Sequence, residues 1–219
     1  MTKKIIAVDL DGTLLNSESK LSDFTKETIK KISEKGHHVI ITTGRPYRMA
    51  KDFYRELELH TPMINFNGSL THLPGQAWEH EKCLTLDKKY LLDMVKRTED
   101  IQADFIAGEY RKKFYITTPN EEIADPKLFG VENFQPENQF KPERVTKNPN
   151  CILLQTRVED KYALADEMNR FYQHQLAINT WGGPLNILEC TPKGVNKAFA
   201  LEYLLNVMNR DKKDLIAFG

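Results

Sequence analysis

Two carboxylates, Asp9 and Asp11, stand two residues apart, directly after the apolar run Ile5-Ile6-Ala7-Val8 and directly before Gly12. In one pocket they would repel each other. A hard cation such as Mg2+ relieves this, because it takes oxygen ligands and commonly uses one or two protein carboxylates together with phosphate oxygens. A second chemical group, Thr43-Gly44-Arg45-Pro46, follows the apolar run Val39-Ile40-Ile41-Thr42. A hydroxyl and an exposed amide at a strand-to-helix turn are the donors a phosphate needs, whereas the plainer role for Thr43 is a helix cap. Arg45 is suited either to holding substrate or to pairing with a surface carboxylate. Two lysines compete for a further anion-binding role. Lys197 falls in the first turn of a helix, where a positive charge opposes the macrodipole by a few tenths to about one kcal/mol, so an anion beside it would explain its place. Lys193 lies in a Pro-Lys-Gly turn and reads as solvated.

These residues need elements that bring them together. The unbroken run Ile5–Val8 predicts a strand covered on both faces, as in a parallel sheet. Asp9 and Asp11 then sit at its carboxyl edge, where open α/β sheets bind ligands. The competing reading is an Asp-Gly hairpin turn between Ile5–Val8 and Leu14-Leu15. Ser22 caps a helix running to about Lys35, with Phe24, Thr28, Ile29 and Ile32 on one face, and Gly36 ends it. Strand, helix and the second strand at 39–42 make a right-handed parallel crossover, which carries Thr43 and Gly44 toward Asp9. Pro46 opens a helix with the stripe Ala50, Phe53 and Leu57. Met63–Phe66 forms a third core strand, closed by Asn67-Gly68 as a turn.

Beyond Gly68 the pattern changes. Short strands at 69–71 and 78–84 precede an amphipathic helix over 84–97 with Leu91, Leu92 and Val95 inward, then strands at 104–107 and 114–117. The stretch 121–150 is rich in Pro, Asn and charge and carries no clear periodicity. Strands at 152–156, 176–179 and 185–189 and a helix over 159–171 follow. A last helix has the stripe Ala198, Leu201, Leu205 and Met208, and a last strand spans 214–219. The fold class is therefore α/β, with a Rossmann-like parallel-sheet core (1–82 and 189–219) and an inserted α/β domain (83–188).

The 219 residues contain 31 Lys+Arg and 31 Asp+Glu, so no long-range field recruits nucleic acid or an anionic membrane, and anion binding must be local. The start, Met1-Thr2-Lys3-Lys4, lacks a signal-peptide pattern, and no run approaches a membrane span, so a cytoplasmic location is expected. Cys83, Cys151 and Cys190 are odd in number and lack metal-ligand spacing; they read as buried, reduced thiols. His37 and His38, adjacent on an extended segment, point opposite ways and read as solvated turn residues.

Asp-Leu-Asp-Gly-Thr-Leu after an apolar strand resembles the first motif of the haloacid dehalogenase superfamily. Thr43-Gly44-Arg45-Pro46 looks like its second, and Lys197-Ala198 fits its third better than Lys193 does. The position of the insert, after the third core strand and Asn-Gly, resembles the large cap of the Cof-type branch. The resemblance implies a Mg2+-dependent phosphomonoester hydrolase in which Asp9 is the nucleophile and Asp11 the general acid and base. It further implies that Thr43, the Gly44 amide and Lys197 bind the phosphoryl group, and that the metal is held by Asp9 and the Asp11 carbonyl. Sugar phosphates, nucleotides and cofactor phosphates fit equally, with Tyr110, Tyr115 and Trp181 of the insert as candidate contacts. The expected partner is a small phosphorylated metabolite, and the expected state a monomer or weak homodimer. In the family the last strand leads into a Gly-Asp acidic motif; here the sequence halts at Gly219. The expectation is either a fragment or a natural short form, with weakened metal binding. Two rivals are a receiver-like phosphoacceptor domain, against which the long insert argues, and a non-catalytic binding protein that keeps the fold.

Overall fold

The computed structural model describes residues 3–219; Met1 and Thr2, part of the leaderless start expected above, lie outside them. The chain divides into two units, Met1–Cys83 with Val195–Gly219, and Leu84–Gly194.

In the first unit, β1 (Ile5–Val8) lies between two parallel neighbours, β2 (His38–Ile41) and β11 (Leu215–Phe218), with Val8 level with Ile41 and Phe218. Parallel pairing on both sides excludes the Asp-Gly hairpin, and β1 is buried on both faces as its unbroken apolar run requires. One face packs Ile6, Val8, Val39 and Ile41 against α1 (Asp23–Glu34) and α2 (Tyr47–Glu56); the other packs Ile5, Ala7 and Ile40 against α5 (Lys197–Val207). Ser22 caps α1, its hydroxyl oxygen accepting from Thr25 N at 3.1 Å. The stripe assigned to α1 is only partly right: Ile29 is buried, but Phe24 is 80% exposed, because it sits in the first turn beyond the sheet's reach. In α5 the buried residues are Ala200, Leu201, Leu204 and Leu205, while Ala198 is exposed. Leu201, Leu205 and Met208 of the expected stripe do face the core, and Ala200 and Leu204 widen it.

Thr42 bridges Ile64 in parallel and so extends the sheet to β3 (Met63–Asn65), which continues antiparallel into β4 (Leu70–His72) and β5 (Lys82–Cys83). The third strand ends one residue earlier than expected, since Phe66–Gly68 forms a tight turn. At the far edge, Ile216 and Phe218 of β11 are exposed.

The second unit is a five-stranded antiparallel sheet in the order β7 (Phe114–Ile116), β6 (Ala103–Glu109), β8 (Cys151–Thr156), β10 (Ile187–Pro192), β9 (Leu176–Thr180). Helices α3 (Lys88–Lys96) and α4 (Lys161–Phe171) contribute Leu91, Met94, Leu164 and Met168 to a core shared with Ile106, Ile152, Leu154 and Leu188. The strand expected over 185–189 extends to Pro192 and pairs with β8 and β9, so residues 189–192, assigned to the core from sequence, belong to this sheet. Within 121–150 lie three short 3-10 turns opened by Pro126, Pro136 and Pro142, which explains the absent periodicity. Phe129 from the first of them stacks on Phe114.

Edge strand β9 is closed by a side chain. The Asn169 amide donates to the Ile178 carbonyl at 2.8 Å and to the Ala165 carbonyl at 2.9 Å, and its oxygen accepts from Ile178 N at 3.1 Å. All three cysteines are free thiols; Cys151 and Cys190 are buried, but Cys83 is exposed, against expectation, because two-residue β5 ends on the surface. Tyr110 and Tyr115 are also buried in this unit, packed edge to face, and are not free to contact a substrate. Trp181 is partly exposed, and its ring N–H donates to Glu189 Oε2 at 3.3 Å.

Candidate active site

Asp9 lies one residue past β1, with extended backbone, and its N–H donates to the Phe218 carbonyl at 3.1 Å, so the ends of β1 and β11 are held level there. Gly12 then takes a left-handed φ of +72°, allowing the irregular turn over 10–14 to leave the sheet. The two carboxylates separate. Asp9 turns inward, its Oδ1 accepting from Leu10 N at 2.7 Å and its Oδ2 from Lys197 Nζ at 2.5 Å. Asp11 is 56% exposed and is gripped by Arg45 through two parallel bonds, Nε to Oδ2 at 2.8 Å and Nη2 to Oδ1 at 2.6 Å. Each carboxylate thus has its own cation, and the mutual repulsion expected from their spacing is relieved by Lys197 and Arg45. Of the two uses open to Arg45, the geometry realises the pairing with a carboxylate.

Lys197 is the first residue of α5, after the N-cap Asn196, whose Oδ1 accepts from Phe199 N at 2.9 Å. Its ammonium against its own helix dipole is matched by the Asp9 carboxylate. Lys193, in contrast, is exposed in the other unit, where it lines a cavity of about 550 Å³ with Arg170, His174 and Asn179.

Thr43 is fully buried one residue past the Thr42 bridge. Its N–H donates to the Ile64 carbonyl at 2.9 Å and its hydroxyl oxygen accepts from Arg45 N at 3.1 Å. Helix α2 begins four residues on, with Pro46 at its N-cap and no side-chain cap, so the capping role weighed for Thr43 is not taken up. The hydroxyl proton remains to be given to a ligand.

Residues that sequence reasoning passed over hold this loop in place. The Arg45 carbonyl accepts from Asn65 Nδ2 at 2.9 Å, and Asn65 Oδ1 lies 3.0 Å from His72 Nε2, inside the protein. Tyr47 packs edge to face on His72. Asn67 N donates to the Thr43 carbonyl at 3.1 Å. An Asn-x-Asn-Gly run at a strand end was the one available signal, and it registers only as a turn.

The groups that the resemblance offers to a cation, the Asp9 carboxylate and the Asp11 backbone carbonyl, both present oxygen. That set fits a hard ion that keeps most of its own water. Among the described residues no group of three or more His, Cys, Asp or Glu could hold a metal.

An aspartate and a buried threonine at the carboxyl edge of a parallel sheet, with a helix-borne lysine on the aspartate, mark an α/β protein with its site at that edge. The profile of the haloacid dehalogenase-like hydrolases matches residues 6–219, and the chain belongs to that family. It is similar to the Bacillus subtilis 5-amino-6-(5-phospho-D-ribitylamino)uracil phosphatase YitU, with 29% identity over 220 residues covering 98% of this chain and 79% of the relative. It is also similar to YcsE of the same organism, named for the same activity, at 26% over 216 residues (99% and 76%). A haloacid dehalogenase-like hydrolase from Bacteroides thetaiotaomicron has the same fold, with a TM-score of 0.80 at 19% identity over 100% of this chain and 82% of that one. The chain is an enzyme of this family's phosphatase class. No helix among the described residues is long and apolar enough to cross a membrane.

Proposed function

We propose that the chain hydrolyses phosphomonoesters of small metabolites through an aspartyl-phosphate, with Asp9 as nucleophile. The observation that carries this reading is the Asp9–Lys197 contact at 2.5 Å. It places a carboxylate and an ammonium at one strand end, beside the strand that leads to Thr43. A carboxylate Oδ of Asp9 attacks phosphorus, the P–O bond to the leaving group breaks, and the covalent acyl phosphate divides one hard step into two easier ones. Asp11 gives a proton to the departing alkoxide and then takes one from the water that attacks the acyl phosphate. For either transfer Asp11 must free one oxygen from Arg45. The Thr43 hydroxyl, the Gly44 amide and Lys197 hold the equatorial phosphoryl oxygens, where stabilisation is mainly electrostatic. Mg2+ would be held by the Asp9 carboxylate and the Asp11 carbonyl and, when bound, supplies neutralising charge for the phosphoryl oxygens.

We assign the unit Leu84–Gly194 the role of a cap that recognises the leaving group, in a cytoplasmic enzyme. The substrate for which YitU and YcsE are named, a phosphorylated ribitylamino-pyrimidine, makes a phosphorylated polyol on a heterocycle the first compound to try. The test is phosphate release from a panel holding that compound, sugar phosphates, nucleotides and an aryl phosphate, with and without Mg2+. Asp9→Asn should lower turnover by at least about a thousandfold with an unchanged melting profile; turnover that survives in that variant overturns the mechanism.

A further inference from the structure

The turn Phe66–Gly68 looks from sequence like punctuation between two strands. In the structure it runs through three successive positive φ angles, +50° at Phe66, +50° at Asn67 and +110° at Gly68. Phe66 is a bulky side chain in the left-handed region, which is costly and persists only where the surroundings demand it. Phe66 and Gly68 are both buried, so solvent exposure does not explain the conformation.

What surrounds the turn does. On one side it holds the Thr43-Gly44-Arg45 loop: Asn67 N donates to the Thr43 carbonyl at 3.1 Å and Phe66 N to the Arg45 carbonyl at 3.4 Å. The Asn67 amide also lies where a side chain on Gly44 would go, both terminal atoms being 3.1 Å from an ideal Cβ there. On the other side Gly68 meets the start of α5. A Cβ on Gly68 would stand 2.4 Å from the Asn196 carbonyl oxygen and 2.8 Å from its carbon, backbone atoms that cannot rotate away. Asn196 is the N-cap of α5, and the next residue is Lys197.

From this geometry we infer that the Phe66–Gly68 turn is a spacer that sets Lys197 against the Thr43-Gly44 cradle, with Gly68 a positioning residue acting through Lys197 and Asn67 one acting through Gly44. The inference rests on the reading above that Lys197, Thr43 and Gly44 bind one phosphoryl group. Its physical basis is that the three anion donors come from two chain segments, the Thr43-Gly44 loop and the start of α5, which both meet this turn, and a misplacement of about 1 Å is enough to cost about a hundredfold in rate. The strained backbone is then the means by which the chain holds the loop after β2 against the N-terminus of α5.

A double-mutant cycle tests it. Gly68→Ala should lower kcat/KM by ten- to a hundredfold, and Lys197→Ala by about a hundredfold. The double variant should be no worse than Lys197→Ala alone, since the displaced lysine is already gone. Losses that multiply, or a Gly68→Ala enzyme with wild-type kcat/KM beside an impaired Lys197→Ala, overturn the inference and leave the proposed function standing. Wild-type turnover in Lys197→Ala overturns the reading beneath it instead. Should Gly68→Ala not fold, Asn67→Gly keeps the φ of +50° accessible while deleting the amide beside Gly44. It should weaken competitive inhibition by inorganic phosphate several-fold with little change in thermal midpoint, and unchanged inhibition overturns the role of Asn67.

Discussion

Lys161 and Lys197 each open a helix, α4 in one unit and α5 in the other, and their ammonium groups meet different partners. Lys161 is buried and donates to three carbonyls, those of Trp181, Gly183 and Leu185, at 2.8, 3.0 and 2.9 Å. Those three residues belong to the loop between β9 and β10, so the lysine knots that loop to the helix. Lys197 faces a carboxylate at the end of a parallel strand. A cation in a first helical turn is thus no signature of an anion site by itself, because neutral carbonyls can compensate the dipole as well. What separates the two is what lies opposite, the returning loop of an antiparallel sheet in one case and the carboxyl edge of a parallel sheet in the other.

The sharpest way to break that contrast is to remove both ammonium groups in turn. Lys197→Ala should cost about 3 kcal/mol of transition-state stabilisation with a small change in thermal midpoint, and Lys193→Ala should be mild. Lys161→Met should do the reverse. Three buried carbonyls lose their donor, costing about 1–3 kcal/mol of stability, with kcat/KM at 25 °C changed much less than in Lys197→Ala. Equal kinetic losses in the two variants would erase the distinction. A smaller, more selective effect is expected of Asp11→Asn, which should slow alkyl phosphates far more than aryl phosphates, whose leaving groups depart without a proton. Equal losses on both would take the acid role from Asp11.

The two units also differ in how they treat thiols. Burial, reinforced by the neighbouring Glu189, pushes the Cys151 and Cys190 thiols up, so neither forms thiolate readily in the folded sheet. A disulfide reagent at pH 7.5 should label only Cys83 in the native protein and all three thiols in denaturant; native labelling of Cys190 would show that the second sheet opens easily. The smallest effect concerns His38, at the start of β2. Burial first, then the charges of Arg210, Lys3 and His37, hold its imidazole below the usual value. The unfolded chain, titrating near about 6.5, therefore binds the proton more tightly. Stability from this group is present above about pH 6.5 and is lost as the pH falls below it. The drop in thermal midpoint between pH 7.5 and 5.5 should be smaller in His38→Gln than in the parent, and an equal drop would assign the slope to other groups.

Much of the first unit was legible because burial writes itself into local pattern. The unbroken run at β1 announces a strand with two covered faces, and the residues at its end announce chemistry. Ser22 sits where a cap is needed. The grip of Arg45 on Asp11 was legible only as one of two possibilities, since the pair is 34 residues apart and nothing near either residue requires it. Asn65 went unmarked, and Asn67-Gly68 read only as a turn, for the same reason: their partners are a loop and a helix reached only after the chain has folded. In the second unit, Lys161 gives no sign in sequence of its carbonyl partners, and the 3-10 turns of 121–150 follow prolines rather than a period.

Asn169 bears on how the molecule behaves in a crowd. The outermost strand of a sheet is an invitation to further strands, from a second copy or from an unfolding neighbour. Here one carboxamide on α4 answers both the donor and the acceptor that Ile178 turns outward. The five-stranded sheet is therefore finished by a side chain at β9, in the middle of the strand where addition would have to begin. A strand adding at this edge would first have to displace that carboxamide.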